Sequence, residues 1–68
     1  MAVYKTIELV STSEKHWGDA LKKGYEEVKK TIRGIRSIQT VKLDVKVKEE
    51  TDTLIYRIRF RVNFEIGK

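Results

Sequence analysis

The 68-residue sequence contains no cysteine and no proline, one histidine, one tryptophan and four glycines. Without cysteine it can form neither disulfide staples nor a thiolate metal site, and a lone imidazole cannot make a histidine cluster. It also lacks an uncharged run near the roughly 20 residues that a bilayer span requires, and no signal-like apolar block follows Met1. These absences lead us to expect a soluble, cytoplasmic protein with no membrane partner. No Pro-, Gly- or Ser-rich stretch divides the chain and no long period repeats, so a single domain over residues 1–68 is expected.

Charge is abundant instead. Fifteen Lys plus Arg stand against ten Asp plus Glu, a formal +5, and 37% of residues are charged beside 40% hydrophobic. With glycine counted as apolar, that balance belongs to globular rather than disordered chains. A domain of about 60 residues buries only about 60% of the surface its unfolded chain exposes. With no covalent staple, association between copies is the expected remedy.

Periodicity divides the chain into four elements. Val3, Ile7 and Leu9 alternate with Tyr4, Thr6 and Glu8, interrupted at Lys5, which reads as a short strand over Val3–Val10. The cluster Ser11-Thr12-Ser13-Glu14 follows, with Ser11 and Glu14 at capping-box spacing and Ser13 equally able to accept from the first turn, so a helix is expected to start here. Its apolar stripe is Trp17, Ala20, Leu21, Gly24, Val28, Ile32 and Ile35, and the wet side offers Asp19/Lys23 and Glu26/Lys30 at ion-pair spacing. Gly34 suits a left-handed helix stop. Beyond it the period becomes two: Val41, Leu43, Val45 and Val47 share a face, as do Leu54, Tyr56, Ile58, Phe60, Val62, Phe64 and Ile66. Glu49-Glu50-Thr51-Asp52 has hairpin length and makes these strands antiparallel neighbours. A helix of about 20 residues is roughly 30 Å long, whereas a strand of about 13 residues covers roughly 43 Å. The sheet therefore overhangs the helix, leaving Val45, Val47, Leu54, Phe64 and Ile66 to be covered by another copy.

Groups for catalysis are few. His16, beside Lys15 early in the helix, reads as a surface residue, and no phosphate-loop, dinucleotide or nucleophile-elbow motif is present, so no enzymatic activity is expected. Trp17 belongs to the apolar stripe and reads as core. Arg57, Arg59 and Arg61 share a strand face near Lys42, Lys46 and Lys48. Acidic neighbours dilute that face and the strand aromatics lie on the opposite one, so nucleic acid is not the expected partner.

The β-α-β-β order, the helix opening Ser11-Thr12-Ser13-Glu14-Lys15-His16-Trp17, the exit Thr31-Ile32-Arg33-Gly34-Ile35-Arg36 and the ending Tyr56 to Ile66 together resemble the dodecin family over nearly the whole chain. The resemblance implies an α+β fold in which a three-stranded antiparallel sheet wraps around one helix, assembled as a hollow homododecamer. It also implies a non-enzymatic protein that binds and stores a small ligand. Many dodecins hold riboflavin or FMN by stacking paired rings on a tryptophan of the second strand, with a glutamine of the third strand at the ring edge. Ungapped matching puts Ser37 at the tryptophan position and Arg57 at the glutamine position, so flavin capture is expected to be weakened. Ser37, Gln39 and Arg57 are the candidate lining of the altered pocket. The missing tryptophan makes the chain more similar to the branch with calcium-binding members. Asp44, Glu49, Glu50, Asp52 and Glu65 are its candidate oxygen donors, to be gathered from several copies, since calcium takes six to eight oxygens. Calcium or another cation at subunit junctions, and a purely structural assembly, stand as the alternatives to small-ligand storage.

Overall fold

The structure, a computed structural model, describes residues 2–67. Strand β1 (Val3–Ser13) is followed by helix α1 (Trp17–Val28) and the strands β2 (Ile35–Lys48) and β3 (Thr53–Ile66). All pairings are antiparallel and the sheet order is β1-β3-β2, so the last strand is the central one. That placement follows from composition, because Ile58, Phe60 and Val62 of β3 supply three of the five buried apolar side chains among the described residues, with Ala20 and Val28 of α1 completing the core. Ile7 and Leu9 of β1, Trp17 and Leu21 of α1, and Ile32, Ile35, Ile38 and Phe64 pack around it.

The helix is shorter than the apolar stripe predicts, and it starts later. Ser11, Thr12 and Ser13 do not cap it; they extend β1 and pair with Ile58, Arg57 and Tyr56. A free edge of the central strand offers their backbone groups a ladder, which satisfies more donors and acceptors than one cap would. The N-cap is His16, whose Nδ1 accepts from the Asp19 amide at 2.9 Å. After Val28 the chain tightens into turns, with the Thr31 and Ile32 amides both donating to the Val28 carbonyl. Ile32 and Ile35 thus continue the apolar surface without belonging to the helix, and Ile35 lies opposite Phe64 in the sheet.

Gly34 does adopt a left-handed φ of 78°, but at the start of β2, not at the helix end. Its carbonyl accepts from the Glu65 amide at 2.9 Å, and a Cβ there would stand 3.0 Å from the Glu65 oxygen. Asp19 and Lys23 form the expected ion pair at 3.1 Å. Lys30 instead joins Glu27 at 2.9 Å, because it lies beyond the last helical turn, where the four-residue spacing to Glu26 no longer brings side chains together.

The β2–β3 pairing is interrupted at two bulges, near Arg36 and Val41. Val41 therefore drops out of the alternation, whereas Leu43, Val45 and Val47 lie opposite Ile58, Tyr56 and Leu54 on the helix side. The helix packs on β1 and β3 and leaves β2 largely bare. Of the expected overhang, Val45, Val47, Leu54 and Ile66 are exposed, while Phe64 is half-buried against the core.

The protomer is elongated, 52 × 20 × 13 Å. Its radius of gyration of 14.2 Å compares with about 11 Å for a compact domain of this length. Its accessible surface of 5301 Å² exceeds by about 850 Å² the roughly 4,450 Å² of a folded monomer of 8.0 kDa. Among the described residues no helix is long and apolar enough to cross a membrane.

Candidate functional site

The sheet face turned away from α1 is built from the odd positions of β3 and their neighbours. Because β3 is flanked on both sides, each of its outward side chains is bracketed by one residue of β1 and one of β2. Asn63 sits between Thr6 and Ser37 and joins them: the Thr6 hydroxyl donates to Asn63 Oδ1 at 2.6 Å and Asn63 Nδ2 donates to Ser37 Oγ at 3.0 Å. Arg61 lies between Glu8 and Gln39, and Arg57 between Thr12 and Asp44. Ser37 and Gln39 share the outer face with Arg57 because of the bulge at Val41; unbroken alternation would have set them on the helix side with Leu43 and Val45. They are not beside it. Asn63, opposite Ser37, lies six positions along β3 from Arg57, a span of about 20 Å at 3.3 Å per residue.

Arg57 is engaged within its own chain. Its Nε and a terminal nitrogen donate to the two carboxylate oxygens of Asp44 at 2.8 and 2.7 Å, the bidentate geometry that makes such pairs strong. The hydrogen bonds from Arg57 hold the Asp44 carboxyl below its ordinary range, and Asp44 in turn raises the guanidinium. Glu8 clamps two arginines, Arg61 at 3.1 Å and Arg59 at 3.2 Å, and the Arg61 contact is the main cause of its lowered pKa. The outer face is therefore a mosaic of engaged ion pairs. Val10, Lys42, Asp44, Arg57 and Arg59 line a shallow niche of about 210 Å³ on it.

The candidate oxygen donors are dispersed. Asp44 is tied to Arg57, Glu65 to Arg36 at 3.0 Å, and Glu49, Glu50 and Asp52 sit exposed at the β2–β3 turn. Among the described residues, no three or more His, Cys, Asp or Glu side chains gather as a metal site. A cation entering at Asp44 has to displace a bidentate guanidinium.

On the helix side, Trp17 is half-buried. Its indole N–H donates to the Asp44 carbonyl at 3.1 Å, and its ring meets Tyr56 edge-on at 5.2 Å. It acts as the core residue its stripe implies, tying the helix start to β2. Two further roles were not read from the sequence: the His16 cap, and the Ser13 hydroxyl, which donates to Asp19 Oδ2 at 2.6 Å and contributes most to lowering the Asp19 pKa. The Asp44–Arg57 pair, by contrast, follows from the expected turn, since pairing that flanks Glu49–Asp52 symmetrically sets residue 44 opposite 57.

A family model described as Dodecin matches residues 3–67. The chain belongs to the dodecin family. It is 27% identical over 66 residues to a calcium dodecin of Mycobacterium tuberculosis, covering 97% of this chain and 92% of that protein. A crystal structure of the M. tuberculosis calcium dodecin, described as a calcium-chelating antigen with a novel calcium-binding site, superposes with a TM-score of 0.86 at 26% identity, covering 96% and 91% of the two chains. A point variant of the Thermus thermophilus dodecin superposes with a TM-score of 0.90 at 25% identity over the full length of both. The β-α-β-β order and three-stranded antiparallel sheet are those of the dodecin fold.

Proposed function

We propose that this dodecin is a non-catalytic, single-domain protein of the cytoplasm whose copies close into a hollow homododecamer and hold a small ligand where subunits meet. The observation that carries this reading is the uncovered surface. The excess of about 850 Å² matches the roughly 800 Å² that one partner contributes to an interface of standard size. Ser37, Gln39 and Arg57 are the pocket candidates. Their spread over about 20 Å means that they can close on one small molecule only when different copies contribute them. Riboflavin and FMN are the ligands of many dodecins. Ser37 provides a hydroxyl where they require an aromatic face, so capture is weak. Native mass spectrometry of freshly purified protein tests the reading: a twelve-subunit particle with retained small molecules supports it, and a protomer at dilute, near-neutral conditions overturns it.

The second reading is a calcium store, favoured by the name of the M. tuberculosis relative and by the exposed Glu49, Glu50 and Asp52. Here too several copies must combine, given the six to eight oxygens of a calcium shell. Calorimetric titration of chelator-treated protein with calcium separates the two, no heat at millimolar metal counting against storage of the cation. Assembly that retains and binds neither flavin nor calcium leaves the structural alternative.

A further inference from the structure

The first turn of α1 is held by one imidazole. The Asp19 amide donates to His16 Nδ1 at 2.9 Å, and the Ala20 amide donates to the His16 carbonyl at 3.2 Å. The ring reaches back over Gly18, where a Cβ would stand 3.2 Å from Nδ1 and 3.3 Å from Cε1. A glycine that weakens the turn by propensity thus gives the cap its room. An Nδ1 that accepts carries no proton, so this cap exists only with the neutral ring, protonated at Nε2.

Protonation removes the acceptor. It sets an N–H against the Asp19 N–H and places a positive charge at the positive end of the helix dipole. The charged neighbours do not compensate. Glu14 and Lys15 precede His16 and oppose each other, while Asp19 and Lys23 follow it, and the Asp19 carboxylate is already taken by the Ser13 hydroxyl at 2.6 Å and by Lys23 at 3.1 Å. β1 ends here in Ser13, opposite Tyr56 of β3. The charged pair nearest that level, Asp44 of β2 with Arg57 of β3, lies on the outer face and is closed on itself.

What the cap steadies is Trp17, the first residue of the helix. Its indole N–H on the Asp44 carbonyl at 3.1 Å and its edge-on contact with Tyr56 tie the helix start to the sheet. Elsewhere α1 packs on β1 and β3, so its reach to β2 runs through this tryptophan. Asp44 is engaged twice: its carbonyl receives Trp17 and its carboxylate holds Arg57. A first turn that opens slackens both the tryptophan and the strand that carries that carboxylate.

We propose that His16 is a pH-responsive latch, which in its neutral form caps α1 and keeps Trp17 on Asp44 and Tyr56, and which on protonation, within the range of about pH 8 to 5 where histidine changes charge, releases the first helical turn. The latch needs neither a bound ligand nor assembly, and so goes beyond the storage reading. Its sign is fixed by the cap: the neutral ring is the one the closed turn requires, so the stabilisation is present at the alkaline end of the range and lost toward the acid end.

The sequence supplies two unique probes, since it has one histidine and one tryptophan. Hydrogen exchange at the Asp19 and Ala20 amides, corrected for the intrinsic rate at each pH, reads the opening of the turn. The opening constant of the wild type is expected to rise roughly 2- to 30-fold between about pH 8 and pH 5, the equivalent of a lost cap, and Trp17 is expected to become more accessible to acrylamide over the same range. His16→Asn, which keeps an acceptor and does not titrate, is expected to hold the turn closed at both ends of the range. His16→Ala is expected to leave it open at both. A wild type whose exchange and quenching do not change with pH overturns the latch, as does a His16→Asn chain that retains the wild-type response.

Discussion

At Gly24, propensity and packing point in opposite directions. In an exposed helix Gly→Ala gains about 1 kcal/mol. Here a Cβ would stand 2.6 Å from Phe60 Cζ and 3.2 Å from the Ser11 Cβ, so the missing side chain is what lets α1 approach the central strand. Gly24→Ala is expected to destabilise the protein by about 1–3 kcal/mol, the cost of overpacking, read from the urea midpoint at fixed protein concentration. The stripe in the sequence placed Gly24 inward but could not say what it faces, because the opposing Phe60 is 36 residues away and only the fold brings it there. The carboxylates give a second prediction. Glu8, Asp19 and Asp44 all have lowered pKa values, from ordinary values of 4.5, 3.8 and 3.8. A depressed folded-state pKa means that the stabilisation is present above the unfolded value and is lost as pH falls through the folded one. Their contribution to stability is therefore expected to be flat above about pH 5 and to decline from about pH 4 downward, and Asp44→Asn is expected to reduce that decline when denaturant midpoints are followed against pH.

At the scale of elements, the helix shows where local signals compete. Four side chains near its start could cap it, and the sequence pattern favoured Ser11 and Ser13 over His16. The sheet decides otherwise: once the backbone of residues 11–13 joins the ladder to β3, the first free amides are those after His16, and its ring takes the Asp19 N–H. His16→Ala is expected to cost about 0.5–2 kcal/mol, as loss of a cap does, whereas His16→Asn, which retains an acceptor, is expected to recover most of it in thermal unfolding. The strands were more legible than the helix. Strict alternation in β3 survives because the extra residue at each bulge lies on β2, and the polar Glu49–Asp52 connection set residue 44 opposite 57 and hence the Asp44–Arg57 pair. The bulge at Val41 left only a change of phase in the apolar row, from Ile38 to Leu43, and which residue is the extra one is fixed by the pairing with β3.

For the whole molecule, the decisive quantity is how little of the sheet one 12-residue helix covers. The apolar overhang read from strand and helix lengths is present in Val45, Val47, Leu54 and Ile66, and the shorter helix makes it larger than the lengths alone imply. The proposed ligand capture belongs to this scale as well, since Ser37 and Arg57 lie about 20 Å apart in one copy. Ser37→Trp is expected to raise riboflavin affinity roughly 2- to 12-fold per stacked face, the worth of an aromatic pair beyond its area; fluorescence quenching measures it, and an unchanged affinity would show that this position does not line the ligand site.

The sequence by itself determined the element order, the faces of β1 and β3 and the β2–β3 hairpin, because these depend on periodicity and on residues close along the chain. It also carried the motifs that place the chain among the dodecins. Only the tertiary structure decided that β3 is central, that Ser11–Ser13 are strand, that His16 caps the helix, and that Arg59 and Arg61 are clamped by Glu8. Each of those rests on which distant backbone or carboxylate competes for a group, and a competition between residues up to 53 positions apart is settled by folding, not by local pattern.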